Sequence, residues 1–136
     1  MVSDLNRHRR AFWAQFASEQ PALAARMERG SESTRWLAVG NRPLILAHYI
    51  SANAVGLFVR GDRGTRTGHI REFLFPHHDL LAAALGQPDI RLGDQFLLVS
   101  RLRTDMHDKA NWPNAIDWLA GNSPIYERAL RDLQRL

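Results

Sequence analysis

The spacing of apolar residues changes several times along the chain, and each change predicts an element. Leu5, Phe12, Trp13 and Phe16 fall roughly on one helical face, while Arg7, Arg9 and Arg10 cluster where solvent would lie. This predicts an amphipathic first helix with Asp4 as its cap. Pro21 suits the first turn of a continuation through Leu23 and Met27, after which Gly30-Ser31-Glu32-Ser33 reads as a loop. Three short apolar runs follow, at residues 36–39, 44–50 and 55–59. The connections between them, Gly40-Asn41-Arg42-Pro43 and Ser51-Ala52-Asn53, are short and polar, as between antiparallel neighbours, so the runs predict a three-stranded meander. Gly61-Asp62-Arg63-Gly64 then supplies a strong turn signal.

Helical spacing returns with Ile70, Phe73, Leu74, His77, Leu81 and Leu85, and Gly86 closes the pattern. Pro76 lies inside it and removes a backbone donor, which predicts a kink or a break into two helices. A strand is expected over residues 95–102, with a short one at 90–92 as an option before it. Trp112-Pro113 opens a last helical region whose apolar residues are Ile116, Leu119, Ile125, Leu130 and Leu133. Gly121-Asn122-Ser123-Pro124 interrupts that region, and Ser-Pro is good helix-start chemistry, so two segments meeting at an angle are expected. The order is α-β-β-β-α-β-α. It defines an α+β fold in which a small, mainly antiparallel sheet is packed by the N- and C-terminal helices through Phe12, Trp13, Phe16, Ile116 and Leu119. Residues 1–136 read as a single domain. The double-stranded-RNA-binding domain and the restriction-type nuclease core begin with the same order, and order alone does not fix function.

Composition narrows the chemistry. The 136 residues include no cysteine, which removes disulfides and thiolate metal sites and fits a reducing cytoplasm. No apolar stretch approaches the ~20 residues that cross a bilayer, so no membrane partner is expected. Lys109 is the only lysine among 18 basic residues. Residues 1–71 hold eleven arginines against five acids, and residues 72–136 hold seven basic residues against nine acids, so the halves differ in sign.

His69, His77, His78 and Asp79 are the densest group of metal-ligating types, but adjacent helical residues lie about 100° apart and do not face one ion. No metal and no cofactor is expected. The runs at 44–50 and 55–59 hold no acid, so the carboxylate and lysine set of a metal-dependent nuclease is missing. Phosphate-loop and nucleophile-elbow patterns are missing too. An enzyme built from scattered residues such as His48, Asp62 and Glu72 stays open as one alternative. Trp13 and Trp118 fall on apolar helical faces and read as core, which leaves Trp36 and Trp112 as the better stacking candidates.

Several stretches together resemble the bacterial domain-of-unknown-function family 4268. They are Arg10-Ala11-Phe12-Trp13, residues 36–40, residues 56–59, Leu85-Gly86-Gln87-Pro88, and Asn111-Trp112-Pro113 through Ile116-Asp117-Trp118-Leu119, in that order along nearly the whole chain. The resemblance implies no defined catalysis. It implies an accessory role near DNA, since members often accompany a nuclease-like domain, and that domain is not part of this sequence. The expected activity is non-catalytic binding of DNA or RNA phosphates by Arg7, Arg9 and Arg10 with Arg60, Arg63 and Arg66. A protein-interaction or scaffolding module, working with a separately encoded protein, is the other alternative. Exposed sheet edges make a homo-oligomer a further expectation.

Overall fold

In the computed structural model, which describes residues 3–40 and 44–136, alternating side chains divide one antiparallel sheet into a covered and a bare face. The strands are β1 (Glu28–Arg29), β2 (Thr34–Val39), β3 (Leu44–Ile50), β4 (Ala54–Gly61) and β5 (Leu97–Arg103). They lie side by side in sequence order, each antiparallel to the next. The expected meander is therefore β2 to β4, widened by β1 on one side and β5 on the other. The connection at residues 41–43 lies outside the described residues. The optional strand at 90–92 does not form. Instead, the Arg91 carbonyl accepts a hydrogen bond from the Leu98 amide at 3.2 Å.

Among the described residues, five α-helices accompany the sheet: α1 (Asp4–Glu19), α2 (Pro21–Ala24), α3 (Thr67–Leu74), α4 (His78–Leu85) and α5 (Trp112–Leu133). The cap of α1 is Ser3, whose hydroxyl accepts from the Asn6 amide at 3.1 Å. Asp4, expected as the cap, is the first helical residue, where its charge still suits the helix dipole. The continuation after Pro21 is a single turn ending at Ala24, short of Met27. Pro76 breaks the middle helix as expected: a 3-10 turn at Phe75–His77 separates α3 from α4, and Gly86 ends α4 in the left-handed conformation at φ +66°.

The last helix corrects the expectation of two segments. It runs unbroken for 22 residues with Pro124 inside it. Pro124 is exposed, so water can reach the carbonyl that loses its backbone donor. The opposite side of the helix keeps Ile116, Leu119, Ser123, Tyr126, Leu130 and Leu133 buried on either side of the proline. Continuous burial of that stripe outweighs the local preference of Gly121 to Pro124 for a break.

The covered face carries Leu37 and Val39 of β2, Leu44, Leu46 and Ile50 of β3, and Val55, Leu57 and Val59 of β4. Against them pack Phe12, Trp13 and Phe16 of α1 with Ile116 and Leu119 of α5, all five at most 4% exposed. The predicted core contact between terminal helices and sheet is thus present. Among the described residues no helix is long and apolar enough to cross a membrane.

Candidate nucleic-acid interface

Among the described residues, no helix lies over the other face of the sheet. Its residues follow from the strand register: Trp36 lies opposite Ala47, and Ala47 opposite Phe58, forming one row. Thr34, Tyr49, Gly56 and Arg101 form the next. Trp36, Ile45, Ala47 and Phe58 make a second, smaller apolar cluster, with Tyr49 and Val99 against it. Glycine at 56 is needed because a β-carbon there would stand 2.4 Å from the Tyr49 ring, which lies flat across that position.

Arginines cover one end of the row. The Arg60 and Arg63 guanidinium carbons sit 4.1 and 4.5 Å from the centre of the Trp36 ring, and the backbone of Gly30 closes against the same indole. Trp36 is consequently only 7% exposed. Trp112, the other stacking candidate, is 2% exposed and donates its indole N–H to the Met106 carbonyl at 2.9 Å. Neither tryptophan presents a free ring, because cation–π contacts and core packing occupy both.

The accessible aromatics are instead Tyr49 and Phe96. Phe96 is 54% exposed and meets the buried Phe58 edge-on, with ring centres 5.0 Å apart. Together with Tyr49, Val99 and Arg101 they line a concavity of about 400 Å³, rimmed by Ser33, Ser51 and Asn53. Burial pushes the Tyr49 phenol up from its usual pKa, and the nearby charges of Arg101 and Arg103 pull it back.

A bulge in β5 sets this arrangement. Leu57 pairs with Ser100 and Val59 with Leu97, so Phe58 alone faces the two residues Leu98 and Val99. Leu98 adopts φ +53°, is fully buried, and is held from two directions: its amide reaches Arg91, and its carbonyl accepts from the Tyr126 hydroxyl at 2.8 Å. Both Leu97 and Leu98 therefore enter the core, and the alternation restarts one residue late. Val99, Arg101 and Arg103 point to the bare face as a result, while Ser100 points inward and accepts from Gln87 at 3.2 Å.

The arginines predicted from sequence divide into two kinds. Arg10 forms a bidentate pair with Glu32, with nitrogen to oxygen distances of 2.6 to 3.1 Å, and Arg29 reaches the same carboxylate at 2.8 Å. The hydrogen bond from Arg10 lowers the Glu32 carboxyl to a pKa of about 2. Arg9 donates to the Ser33 hydroxyl, and Arg7 lies 3.8 Å from Asp4. Arg9 and Arg10 thus tie α1 to the loop between β1 and β2. Arg63 grips the same loop from the bare face, donating to the Gly30 carbonyl at 3.0 Å. Arg60 and Arg63 share the Trp36 platform, and Arg66 is exposed just before α3. Arg101 and Arg103 were not among the expected residues. Their signal was available as the period-two series Val99, Arg101, Arg103, which begins on the strand expected over residues 95–102 and runs one residue past it, hidden by the acidic balance of the second half of the chain.

The other candidate sites are not assembled. Among the described residues no group of three or more His, Asp or Glu could hold a metal ion. His78 engages the Ile90 carbonyl at 2.6 Å and Asp79 at 3.3 Å, and the first of these contacts raises its pKa. His48 is fully buried beneath α5, with Nε2 2.8 Å from the Ser123 hydroxyl and Nδ1 3.3 Å from the Arg35 carbonyl. Burial lowers its pKa to about 4. Asp62 lies five residues past the β4 partner of His48, ~16 Å along an extended chain, and Glu72 is exposed on α3. These three residues do not converge.

Comparisons with protein-family models, with curated proteins and with solved structures find no match to this chain. The functional reading therefore rests on the geometry of the bare face.

Proposed function

We propose that the protein is a non-catalytic nucleic-acid-binding domain that holds a strand of DNA or RNA against the bare face of its sheet. One observation carries the reading: Arg60, Arg63, Arg101 and Arg103 flank an aromatic floor, and Glu28, opposite Trp36 on β1, is the only acid among the strand residues of that face. Phosphate binding needs such an excess of guanidinium, and single strands add stacking on aromatic rings. The role of the α1 arginines changes within this reading. Arg9 and Arg10 support the loop that Arg63 rests on, and the strand contacts pass to β4, the turn after it, and β5. The resemblance to family 4268, with its accessory role near DNA, belongs to the same proposal.

Fluorescence anisotropy with short labelled single strands at ~50 mM salt tests it. If four arginines meet phosphates, log affinity should fall against log salt with a slope near about −3. Replacing Arg60, Arg63, Arg101 and Arg103 with Gln should abolish most of the affinity and flatten that slope. Absence of binding to any strand at this salt would reject the reading. A protein-interaction module would then be favoured by Phe75 and Leu80, which stand 63% and 55% exposed on the α3 to α4 stretch.

A further inference from the structure

We infer that the concavity beside Phe96 is a subsite for one unpaired nucleobase, with Arg101 and Arg103 on the phosphates next to it; this rests on the strand-binding reading above. Its size of about 400 Å³ lies in the range of small-molecule pockets. Its walls are the rings of Tyr49, Phe58 and Phe96, and aromatic rings are the surfaces on which unstacked bases settle. Arg101 lines the same space, and Arg103 lies two residues further along β5, ~7 Å away on the same face. A planar aromatic group attached to a chain of negative charges matches both features at once. Asn53 and Ser51 at the rim supply donors and acceptors for a base edge.

The exposure of Phe96 is built into the backbone. It precedes the bulge, where Leu98 holds a left-handed conformation that branched and bulky residues rarely adopt. On the other side Gly93, at φ +70°, lies so close that a β-carbon would stand 2.5 Å from the Phe96 carbonyl oxygen. Strain of this kind persists where surrounding structure enforces it, and it gathers at binding sites. A half-exposed phenylalanine fixed in this way, beside an aromatic floor and a guanidinium, is a preformed stacking surface.

A cycle that removes the base and the ring separately tests the inference. Wild type and Phe96→Ala are titrated with a single-stranded oligothymidylate and with an abasic strand of the same length. Stacking of one base predicts that Phe96→Ala weakens binding of the base-bearing strand about tenfold and leaves the abasic strand unaffected. Phe96→Tyr should restore the loss, and an unchanged melting temperature would confirm that each variant is folded. Equal weakening of both strands by Phe96→Ala, or no weakening of either, would overturn the base subsite while leaving the strand-binding reading in place. Failure of the wild type to bind both strands would instead overturn the strand-binding reading and the subsite with it.

Discussion

The two faces of the sheet are built from the same strands and solve different problems. Toward the helices β2, β3 and β4 present mostly leucine, valine and isoleucine, and α1 and α5 close over them. Toward the other side the same strands present Trp36, Ile45, Ala47, Tyr49 and Phe58, shielded by arginine side chains and one partly exposed phenylalanine. The covered face is completed by its own chain. The bare face places small residues, Ala47 and Gly56, between rings and lies in part under guanidinium groups. Burial alone does not distinguish the faces, since Trp36 and Phe58 are as shielded as parts of the main core. The material of the cover does.

This contrast makes the covered face the source of stability, and the largest expected effect lies there. Trp13→Ala should cost ~3–5 kcal/mol, because it removes a ring 4% exposed that packs edge-on to both Phe12 and Phe16. Urea denaturation would show this as a lower midpoint, and a loss below ~1 kcal/mol would place Trp13 outside the core.

Next comes an acid response of the same face. His48 is held neutral to a pKa of about 4, whereas in the unfolded chain it takes up a proton near its ordinary value of 6.5. Its contribution is therefore complete above pH 6.5 and drains away between pH 6.5 and 4, by about 3 kcal/mol in all. Glu32 acts in a lower window. Its carboxyl, near pKa 2 in the fold, contributes above its ordinary 4.5 and loses that contribution as the pH falls toward 2. Denaturation midpoints should already decline between pH 7 and 5, above the window of Glu32, and a flat profile there would contradict the buried neutral imidazole.

A smaller effect is expected for Tyr126→Phe. It removes the hydroxyl that donates to the Leu98 carbonyl and should cost ~1–3 kcal/mol, the penalty of an unsatisfied buried acceptor. The smallest change tests the bare face directly. Phe96→Ala should shift stability by less than ~0.5 kcal/mol, as surface substitutions do. A loss rivalling that of Trp13→Ala would mean that Phe96 seals a core, and the distinction between the faces would fail.

Much of this architecture can be read from apolar spacing. The runs that became β3 and β4, the helical faces of α1 and α5, and the break at Pro76 all carry strong periodic signals. β1 does not, since Glu28 and Arg29 are both exposed and offer no alternation; their pairing with Trp36 and Arg35 exists only because β2 is there. The continuity of α5 through Pro124 depends on a buried stripe that local propensity does not contain. For the candidate site, charge clustering drew attention to Arg60 and Arg63, but it does not show that Trp36, offered as a stacking candidate, lies capped beneath them. The Phe96 concavity was beyond reach, because nothing in a leucine side chain announces φ +53° at position 98.

That extra residue in β5 also makes the chain's length around position 98 part of its information. Alternation along a strand works as an odd and even count, and the bulge resets the count once. Deleting Leu98 would leave Phe58 facing Val99 alone and turn the bulge into regular pairing, with Ser100 still opposite Leu57 and Arg101 still opposite Gly56. Arg101 and Arg103 would keep their place on the bare face, and the loss would fall on the second leucine that the bulge sends into the core and on its hydrogen bond from Tyr126. The bulge is in this sense a reserve of one residue, which the strand can shed without changing its address. An added residue finds no such reserve, since it must widen the bulge or turn each later side chain to the opposite face. Among variants of this chain, a one-residue deletion at 98 should survive at a cost in core packing, and a one-residue insertion between 99 and 103 should not.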